Sequence, residues 1–204
     1  LDGRNVTMQA EHKRAQQIGR LFQDPMRGTA PHMTIEENLA LAYLRVQKKK
    51  GVFSRISGAE RKMFRERLSW LDMGLEDRMK QPVGLLSGGQ RQALTLLMAT
   101  LIPPKILLLD EHTAALDPAT ADKVTELTRR IIEEDHLACL MITHNMHSAL
   151  QLGNRTLMMD AGRIIYDISG PERDAMTVDG LLQKFSAGTG KELDNDRILF
   201  SKAQ

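Results

Sequence analysis

The sequence lacks three features that would each indicate a different class of protein: paired cysteines, a long apolar run and a strong excess of one charge. Cys139 is the only cysteine, so no intramolecular disulfide and no cysteine-based zinc site can form. The longest apolar runs fall well short of the ~20 residues that a membrane helix needs. A formal charge of +2 is too small to indicate nucleic-acid binding by itself.

The remaining composition is that of a globular protein. Apolar residues make up 42% and charged residues 26% of the 204 positions, which excludes a disordered or fibrous chain. This length accommodates one domain, or one domain with a subdomain. Cys139 lies in the apolar run 137–142, which predicts a buried structural thiol rather than a nucleophile.

A further missing feature is the Gly-x-x-x-x-Gly-Lys-[Ser/Thr] loop, whose amides and lysine hold nucleotide phosphates. The nearest match, Gly-Thr-Gly-Lys at 188–191, has Phe185 in place of the first glycine and Glu192 in place of the hydroxyl residue. We interpret this segment as a flexible polar tail. Because the chain opens at Leu1 on a turn-like Asp2-Gly3, we expect the first strand and its loop to lie upstream.

Two short apolar runs predict parallel strands buried on both faces, Ile106 to Leu109 and Leu137 to Ile142. Between them, Asp117-Pro118 predicts a helix start, with a capping residue followed by proline. The apolar stripe of that helix consists of Val124, Leu127, Ile131 and Ile132. Strand, helix and strand form the βαβ unit of a parallel α/β sheet.

The segment from about 24 to 102 has the pattern of a helical insert. Thr34 with Glu37 and Ser57 with Glu60 are capping-box pairs that predict two helices, the second ending near Gly74. A third helix should begin at Ser87 and end before Pro103-Pro104. Toward the C-terminus, the sequence predicts two strands within 156–168, joined at 161–162, and a last helix over 178–185.

Two short motifs carry the chemistry. Asp110-Glu111 places two carboxylates at the end of a parallel strand, where open α/β sheets bind ligands, although solvated acids would give the same pattern. In 86–90, Leu-Ser-Gly-Gly-Gln, a serine cap and two glycines let backbone amides at a helix N-terminus approach an anion such as phosphate.

With five motifs in order, the chain resembles the nucleotide-binding subunit of an ABC transporter from Leu1 to about Ile168. The motifs are Phe22-Gln23-Asp24 (Q-loop), Leu86 to Gln90 (signature), Ile106 to Asp110 (Walker B), Ala114 to Asp117 (D-loop) and Ile142-Thr143-His144 (H-loop). The resemblance implies an α/β P-loop NTPase (RecA-like) fold: a parallel sheet core with an inserted α-helical subdomain, N-terminally truncated. Residues 1–23 and 103–170 would form the core, 24–102 the subdomain and 171–204 a tail.

The resemblance also implies roles for individual residues. Glu111 would polarise the attacking water, Gln23 would reach Mg²⁺ and that water, and His144 would bond the γ-phosphate of ATP. Asp110 would hold Mg²⁺ together with Gln23. The remaining nucleotide-binding residues would be Ser87, Gly88, Gly89, Gln90 and Asp117, with Ser87 and Gly89 contacting ATP held by a second subunit.

Two positions depart from the common pattern of this family. His112 and Ala114 stand where relatives often have proline and serine. We interpret His112 as a subgroup marker in preference to a second catalytic histidine. Loss of the hydroxyl at Ala114 is expected to weaken D-loop contacts between subunits.

The implied partners are a second, most simply identical, ATP-binding subunit, membrane permease subunits and an extracytoplasmic solute-binding protein. The protein would lie on the cytoplasmic face of the membrane as part of a bacterial importer. Permease helices would dock on about 25–38, where Met26, Met33 and Ile35 offer either an apolar contact or core burial. Residues 1–204 alone, without the phosphate loop, are expected to be inactive.

Two other functions stay open. ABC ATPases also act on nucleic acid, but the 63-residue separation of Gln23 and Leu86 (86 − 23) leaves no room for a long coiled coil. The basic cluster 45–55 lacks interleaved aromatics, so a solvated loop or a lipid contact is the preferred interpretation, and no nucleic-acid partner is expected. The second is a non-catalytic partner that contributes only its signature motif to the site of another subunit. Such a partner would need neither Glu111 nor His144, and the presence of both argues against it.

Overall fold

The computed structural model describes residues 1–45 and 55–189. The chain divides into two compact units, Leu1–Ile142 and Thr143–Gln204. Most of the basic cluster predicted between 45 and 55, and the last part of the predicted tail, lie outside the described residues.

A parallel three-stranded sheet forms the framework of the first unit. Its strands are β1 (Ile18–Leu21), β2 (Ile106–Asp110) and β3 (Cys139–Ile142), with β2 in the middle. Leu21 pairs with Leu109, and Asp110 pairs with Ile142, so the carboxyl ends of all three strands share one edge. This arrangement confirms the predicted parallel α/β sheet.

The burial of β3 differs from the prediction. Leu140 is 51% and Ile142 is 56% exposed, and Cys139 is exposed as well. The prediction of a buried Cys139 was therefore wrong. In the described part of the chain β3 is an outer strand that pairs on one side only, with β2, and this position leaves its apolar side chains accessible.

The three longest helices before β2 begin where the sequence places a side-chain cap. After a short α1 (Glu11–Arg14) come a 3-10 turn (Pro25–Gly28), α2 (Ile35–Leu44), α3 (Gly58–Ser69), a second 3-10 turn (Val83–Leu85) and α4 (Gly88–Thr100). Thr34, Ser57 and Ser87 each form a complete capping box, which confirms the three predicted starts. Helix α3 ends before Gly74, and Asp72 already has a left-handed backbone (φ 50°).

One hydrophobic core joins these helices to the sheet. Phe64 of α3 meets Tyr43 of α2 edge to face, with ring centroids 6.0 Å apart. The same cluster continues through Leu94 of α4 to Leu107 and Leu109 of β2. Because both parts share the cluster, the helices and the strand ends are fixed relative to each other.

After β2, helix α5 (Pro118–Glu134) returns the chain to β3 and completes the predicted βαβ unit. Asp117 caps this helix and proline occupies its first turn, as the sequence indicates. Val124, Leu127 and Ile131 of the predicted stripe are buried, and Ile132 packs at the core margin.

The second unit contains α6 (Met146–Gln151), β4 (Arg155–Asp160), β5 (Arg163–Ser169), α7 (Gly170–Asp174) and α8 (Val178–Thr189). Strands β4 and β5 are antiparallel, and the turn between them holds Ala161 and Gly162 at φ 46° and 77°. Arg173 is buried and donates hydrogen bonds to the carbonyl oxygens of Leu150 and Leu152 at the end of α6. The predicted hairpin and last helix are confirmed.

Candidate functional site

Glu111 follows β2 directly and has an unusual backbone conformation for a residue with a side chain. Its φ of 46° lies in the left-handed region, which costs roughly 1–2 kcal/mol for an L-residue. Its N–H donates to Ile142 O at 3.0 Å, and its carbonyl accepts from Ala114 N–H at 3.0 Å. These bonds to β3 and to the following turn fix the direction in which the Glu111 side chain leaves the sheet.

Gln23, which lies just beyond β1, meets this carboxylate. Its Nε2 donates a hydrogen bond to Glu111 Oε2 at 3.2 Å, across 88 positions of sequence. The contact exists because β1 and β2 are parallel neighbours whose carboxyl ends lie side by side. The structure therefore brings together two of the three predicted catalytic residues.

Asp110 is the last residue of β2, beside the Gln23–Glu111 pair. Its carboxylate lies 3.7 Å from the Arg20 guanidinium of β1. Arg20 also stacks over the Phe22 ring, 4.5 Å from the ring centroid. Sequence reasoning missed Arg20, because a single arginine in a four-residue strand gives no periodic signal.

The donor atoms at this edge fit a magnesium ion that is held mainly by a nucleotide. Among the described residues no group of three acidic, histidine or cysteine side chains could hold a metal. Mg²⁺ needs fewer protein ligands, since it keeps several waters and usually takes one or two carboxylates plus substrate phosphates. Asp110 and the amide oxygen of Gln23 would supply that partial set.

The signature segment forms the first turn of α4. Ser87 Oγ accepts from Gln90 N–H at 3.3 Å, and Gln90 Oε1 accepts from Ser87 N–H at 3.2 Å. The bare amides of Gly88 and Gly89 follow at the N-terminus of a 13-residue helix, where the helix dipole favours an anion. Ser87 and Gly88 are exposed, whereas Gly89 is buried.

Gly89 packs directly on the first turn of α5. A Cβ atom at this position would overlap Cγ2 of Thr120, far inside van der Waals contact. Thr120 is also held by Asp117, whose Oδ1 accepts from Thr120 N–H at 3.0 Å. Hydrogen bonds from the Thr120 side chain and backbone hold the pKa of Asp117 below its usual value. The predicted signature and D-loop residues therefore meet at the N-termini of α4 and α5.

His112 lies in the core, next to Glu111 in sequence. It is 3% exposed, and its Nε2 is 3.2 Å from Thr128 Oγ1 of α5. Burial lowers the pKa of His112 to about 4, so the ring is neutral at physiological pH. Sequence reasoning singled out His112 but missed Thr128, since a residue 16 positions away carries no local signal.

The predicted role of His144 stays a prediction. His144 is exposed and precedes α6, where Asn145 Oδ1 accepts from Ser148 N–H at 3.0 Å and caps the helix. Thr143 Oγ1 in turn accepts from Asn145 N–H at 3.0 Å. These bonds fix the local backbone on the C-terminal side of His144.

The parallel sheet, with Asp110, Glu111 and Gln23 at its carboxyl edge, gives the first unit the α/β fold of the P-loop class. The family model described as ABC transporter matches residues 1–114. The chain belongs to the ABC transporter family, as an ATP-binding subunit.

Individual relatives agree with this assignment. A tyrosine transport ATP-binding protein of Clostridioides difficile (strain R20291) is 43% identical over 188 residues, covering 91% of this chain and 73% of the relative. The choline transport ATP-binding protein OpuBA of Bacillus subtilis (strain 168) is 33% identical, covering 81% of this chain and 41% of the relative.

A solved structure shares the fold. The ATP-binding cassette MJ0796, in a dimeric post-hydrolysis state with ADP and Pi, matches with a TM-score of 0.68 and 26% identity. The match covers 83% of this chain and 71% of that chain. No helix in the described ranges 1–45 and 55–189 has both the length and the apolar character to cross a bilayer.

Proposed function

We propose that the protein hydrolyses ATP to drive solute import through membrane permeases, as one half of an ATP-binding dimer. The observation that carries this proposal is the hydrogen bond between Gln23 Nε2 and Glu111 Oε2 at the carboxyl edge of the sheet. Glu111 combines a left-handed backbone with a side-chain partner that follows the neighbouring strand. Such over-determined strain is typical of active sites.

Glu111 is the general base in this proposal. Its carboxylate accepts the proton of the attacking water, and the Gln23 amide holds that carboxylate in place. Asp110 and Gln23 would hold Mg²⁺, which neutralises charge that develops on the phosphates when it is bound. Arg20 lies 3.7 Å from the Asp110 carboxylate and would help to hold it at the sheet edge. His144 would donate a hydrogen bond to the γ-phosphate.

Ser87 and Gly89 would act on the nucleotide of the opposite subunit. Support comes from the exposure of Ser87 and Gly88 at the start of α4 and from the dimeric state of MJ0796 with ADP and Pi. Because each site would need residues from both subunits, two copies would associate head to tail. Gly88, Gln90 and Asp117 complete this contact surface.

The proposed membrane partners follow from the relatives, which are transport ATP-binding proteins by name. A permease would dock on 25–38, and an extracytoplasmic solute-binding protein would belong to the same system. Within this segment Met26 is 47% exposed, whereas Ile35 is fully buried in the core. Met26 is therefore the most exposed of the three apolar residues named for the docking contact, ahead of the half-buried Met33. As a partner of permeases, the protein would lie on the cytoplasmic face of the membrane.

A non-catalytic partner is the competing function, since the sequence contains no Gly-x-x-x-x-Gly-Lys-[Ser/Thr] loop. The Gln23–Glu111 bond favours catalysis instead. We expect no measurable turnover from residues 1–204 alone, because they lack the amides and lysine that grip the phosphates. Nucleic-acid binding is not expected, and salt-sensitive binding of DNA or RNA would contradict this.

The test measures ATP hydrolysis by three proteins: first the gene product that contains residues 1–204, then its Glu111→Gln variant, and last residues 1–204 alone. The proposal predicts turnover only in the first. Hydrolysis by residues 1–204 above the Glu111→Gln background would overturn the predicted inactivity. Equal turnover by the gene product and its variant would overturn the role of Glu111.

A further inference from the structure

We propose that His112 is a positioning residue: its hydrogen bond to Thr128 anchors the turn after β2 to α5 and thereby holds the Glu111 carboxylate beside Gln23. This inference rests on the proposed function, in which Glu111 is the general base. It concerns the residue that directly follows Glu111 in the chain.

The turn after β2 needs an anchor because its first residue is strained. Glu111 is held at φ 46° by one bond to β3, Glu111 N–H to Ile142 O, and by one bond within the turn from Ala114. A left-handed residue with a side chain persists only where its surroundings over-determine it. The turn continues with Leu116 N–H donating to Thr113 O at 3.1 Å, a local bond that links it to no other element.

His112 supplies a bond from this turn to a helix. Its side chain is 3% exposed, and Thr128, on the buried face of α5, is 1% exposed. The distance from His112 Nε2 to Thr128 Oγ1 is 3.2 Å, within hydrogen-bonding range. The bond spans 16 residues and is buried, so water cannot substitute for either partner.

The direction of this bond follows from the other partner of Thr128. Thr128 Oγ1 donates to Val124 O at 2.7 Å, one helical turn earlier. A hydroxyl has a single proton, and this bond uses it. Oγ1 must therefore accept, and His112 Nε2 must carry the proton. The result is a series of two hydrogen bonds with one direction, from the imidazole N–H to the Thr128 hydroxyl and from that hydroxyl to the α5 backbone.

The same helix contacts the signature motif. The first turn of α5 carries Thr120, against which Gly89 of α4 packs. His112 directly follows Glu111, and its bond to Thr128 therefore connects the turn after the general base to α5, the helix that also contacts the signature. A rotation of the imidazole out of this contact would break its bond to Thr128 and expose a buried ring, which disfavours a catalytic role for His112.

The kinetic test uses the gene product that contains residues 1–204. Thr128→Val keeps the shape but removes the acceptor, and Thr128→Ser keeps the acceptor. A matched control is Thr100→Val in α4, which removes a buried hydroxyl bonded to Leu96 O at 2.9 Å, one turn earlier, without a histidine partner. We expect Thr128→Val to lower kcat about tenfold with KM for ATP within about twofold, because the base is misplaced.

Rescue variants distinguish positioning from simple destabilisation. Thr128→Ser and His112→Gln, whose amide nitrogen can replace Nε2–H, should recover most of kcat. The double variant His112→Leu, Thr128→Val should be no slower than the slower of the two single variants, because each single substitution already removes the same hydrogen bond. Wild-type kcat in Thr128→Val would overturn the inference. A loss in His112→Gln far beyond that in Thr128→Val would also overturn it, in favour of a catalytic histidine.

A second readout needs no turnover. Hydrogen exchange of the backbone amides over 110–116 should accelerate in Thr128→Val and stay unchanged in Thr100→Val. If exchange accelerates but Glu111→Gln retains full turnover, the anchor stands and the proposed function fails. If Glu111→Gln is inactive while Thr128→Val changes neither exchange nor kcat, the inference alone fails.

Discussion

Gly89 of the signature and Thr120 of α5 are packed so closely that no side chain fits between them: a Cβ on Gly89 would overlap Cγ2 of Thr120. The glycine is therefore required by packing within one chain, independently of any nucleotide. The contact joins the N-termini of α4 and α5. Because the two turns are in direct van der Waals contact, a shift of α5 must also move the signature segment at the start of α4.

Gly89→Ala should lower the free energy of unfolding by about 1–3 kcal/mol, because the added methyl group overpacks a close contact. Adding Thr120→Ser, which removes the overlapping methyl group, should recover most of that loss. The control is Gly88→Ala, where the nearest atom, Leu116 Cδ2, would lie at an ordinary 3.6 Å. Urea unfolding measures all three, and wild-type stability in Gly89→Ala would contradict the packing argument.

Gln23→Ala should lower kcat for ATP about 10–100-fold while the fold is retained, because the Glu111 carboxylate loses the amide that holds it. Gln23→Glu would place a second carboxylate within hydrogen-bonding distance of Glu111. Repulsion between like charges then raises a carboxyl pKa, so the pH–rate profile should move to higher pH. Gln16→Ala, at an exposed position before β1, is the control. An unshifted profile in Gln23→Glu would argue against the contact.

Ser87→Ala and Ser57→Ala form a matched pair, because both serines cap a helix through a complete capping box. Each substitution should lower the free energy of unfolding by a similar ~1 kcal/mol. Only Ser87→Ala should weaken ATP-dependent dimer formation, measured by sedimentation velocity. Equal dimerisation by the two variants would remove Ser87 from the proposed trans contact.

Cys139 should be a slow nucleophile although the residue is exposed. Neighbouring atoms desolvate the sulfur and raise the pKa of the thiol to about 11. At pH 8 roughly one thiol in a thousand would then be ionised, against about one in four for an unperturbed cysteine. Alkylation by iodoacetamide at pH 8 should be more than about tenfold slower in the folded protein than in urea, and faster at higher pH. Equal rates in both states would contradict the raised pKa.

Local patterns predicted the helices well because their signals are short-range. The capping boxes predicted at Thr34 and Ser57 and the helix start predicted at Ser87 each need only a few consecutive residues, and all three were confirmed. Strand β1 was not predicted, since its four residues include a glycine and an arginine. The burial of Cys139 was predicted wrongly, because an apolar run does not reveal whether its strand lies at the edge of a sheet.

Site contacts were harder to predict, since they join residues that are distant in sequence. The roles of Gln23 and Glu111 came from the family resemblance, and no residue pattern would have paired two side chains 88 positions apart. The bond between His112 and Thr128 depends on the packing of the β2 turn on α5. Such pairs follow from the tertiary fold rather than from local periodicity.

The most direct test of the catalytic account is single-turnover hydrolysis of Mg²⁺-ATP by the gene product that contains residues 1–204, compared with its Glu111→Gln variant. Binding of a fluorescent ATP analogue is measured in parallel, so that lost binding and lost chemistry are separated. We predict similar nucleotide affinity and at least ~100-fold slower hydrolysis in Glu111→Gln, because only the proton acceptor is removed. Hydrolysis at the wild-type rate by Glu111→Gln would contradict the account.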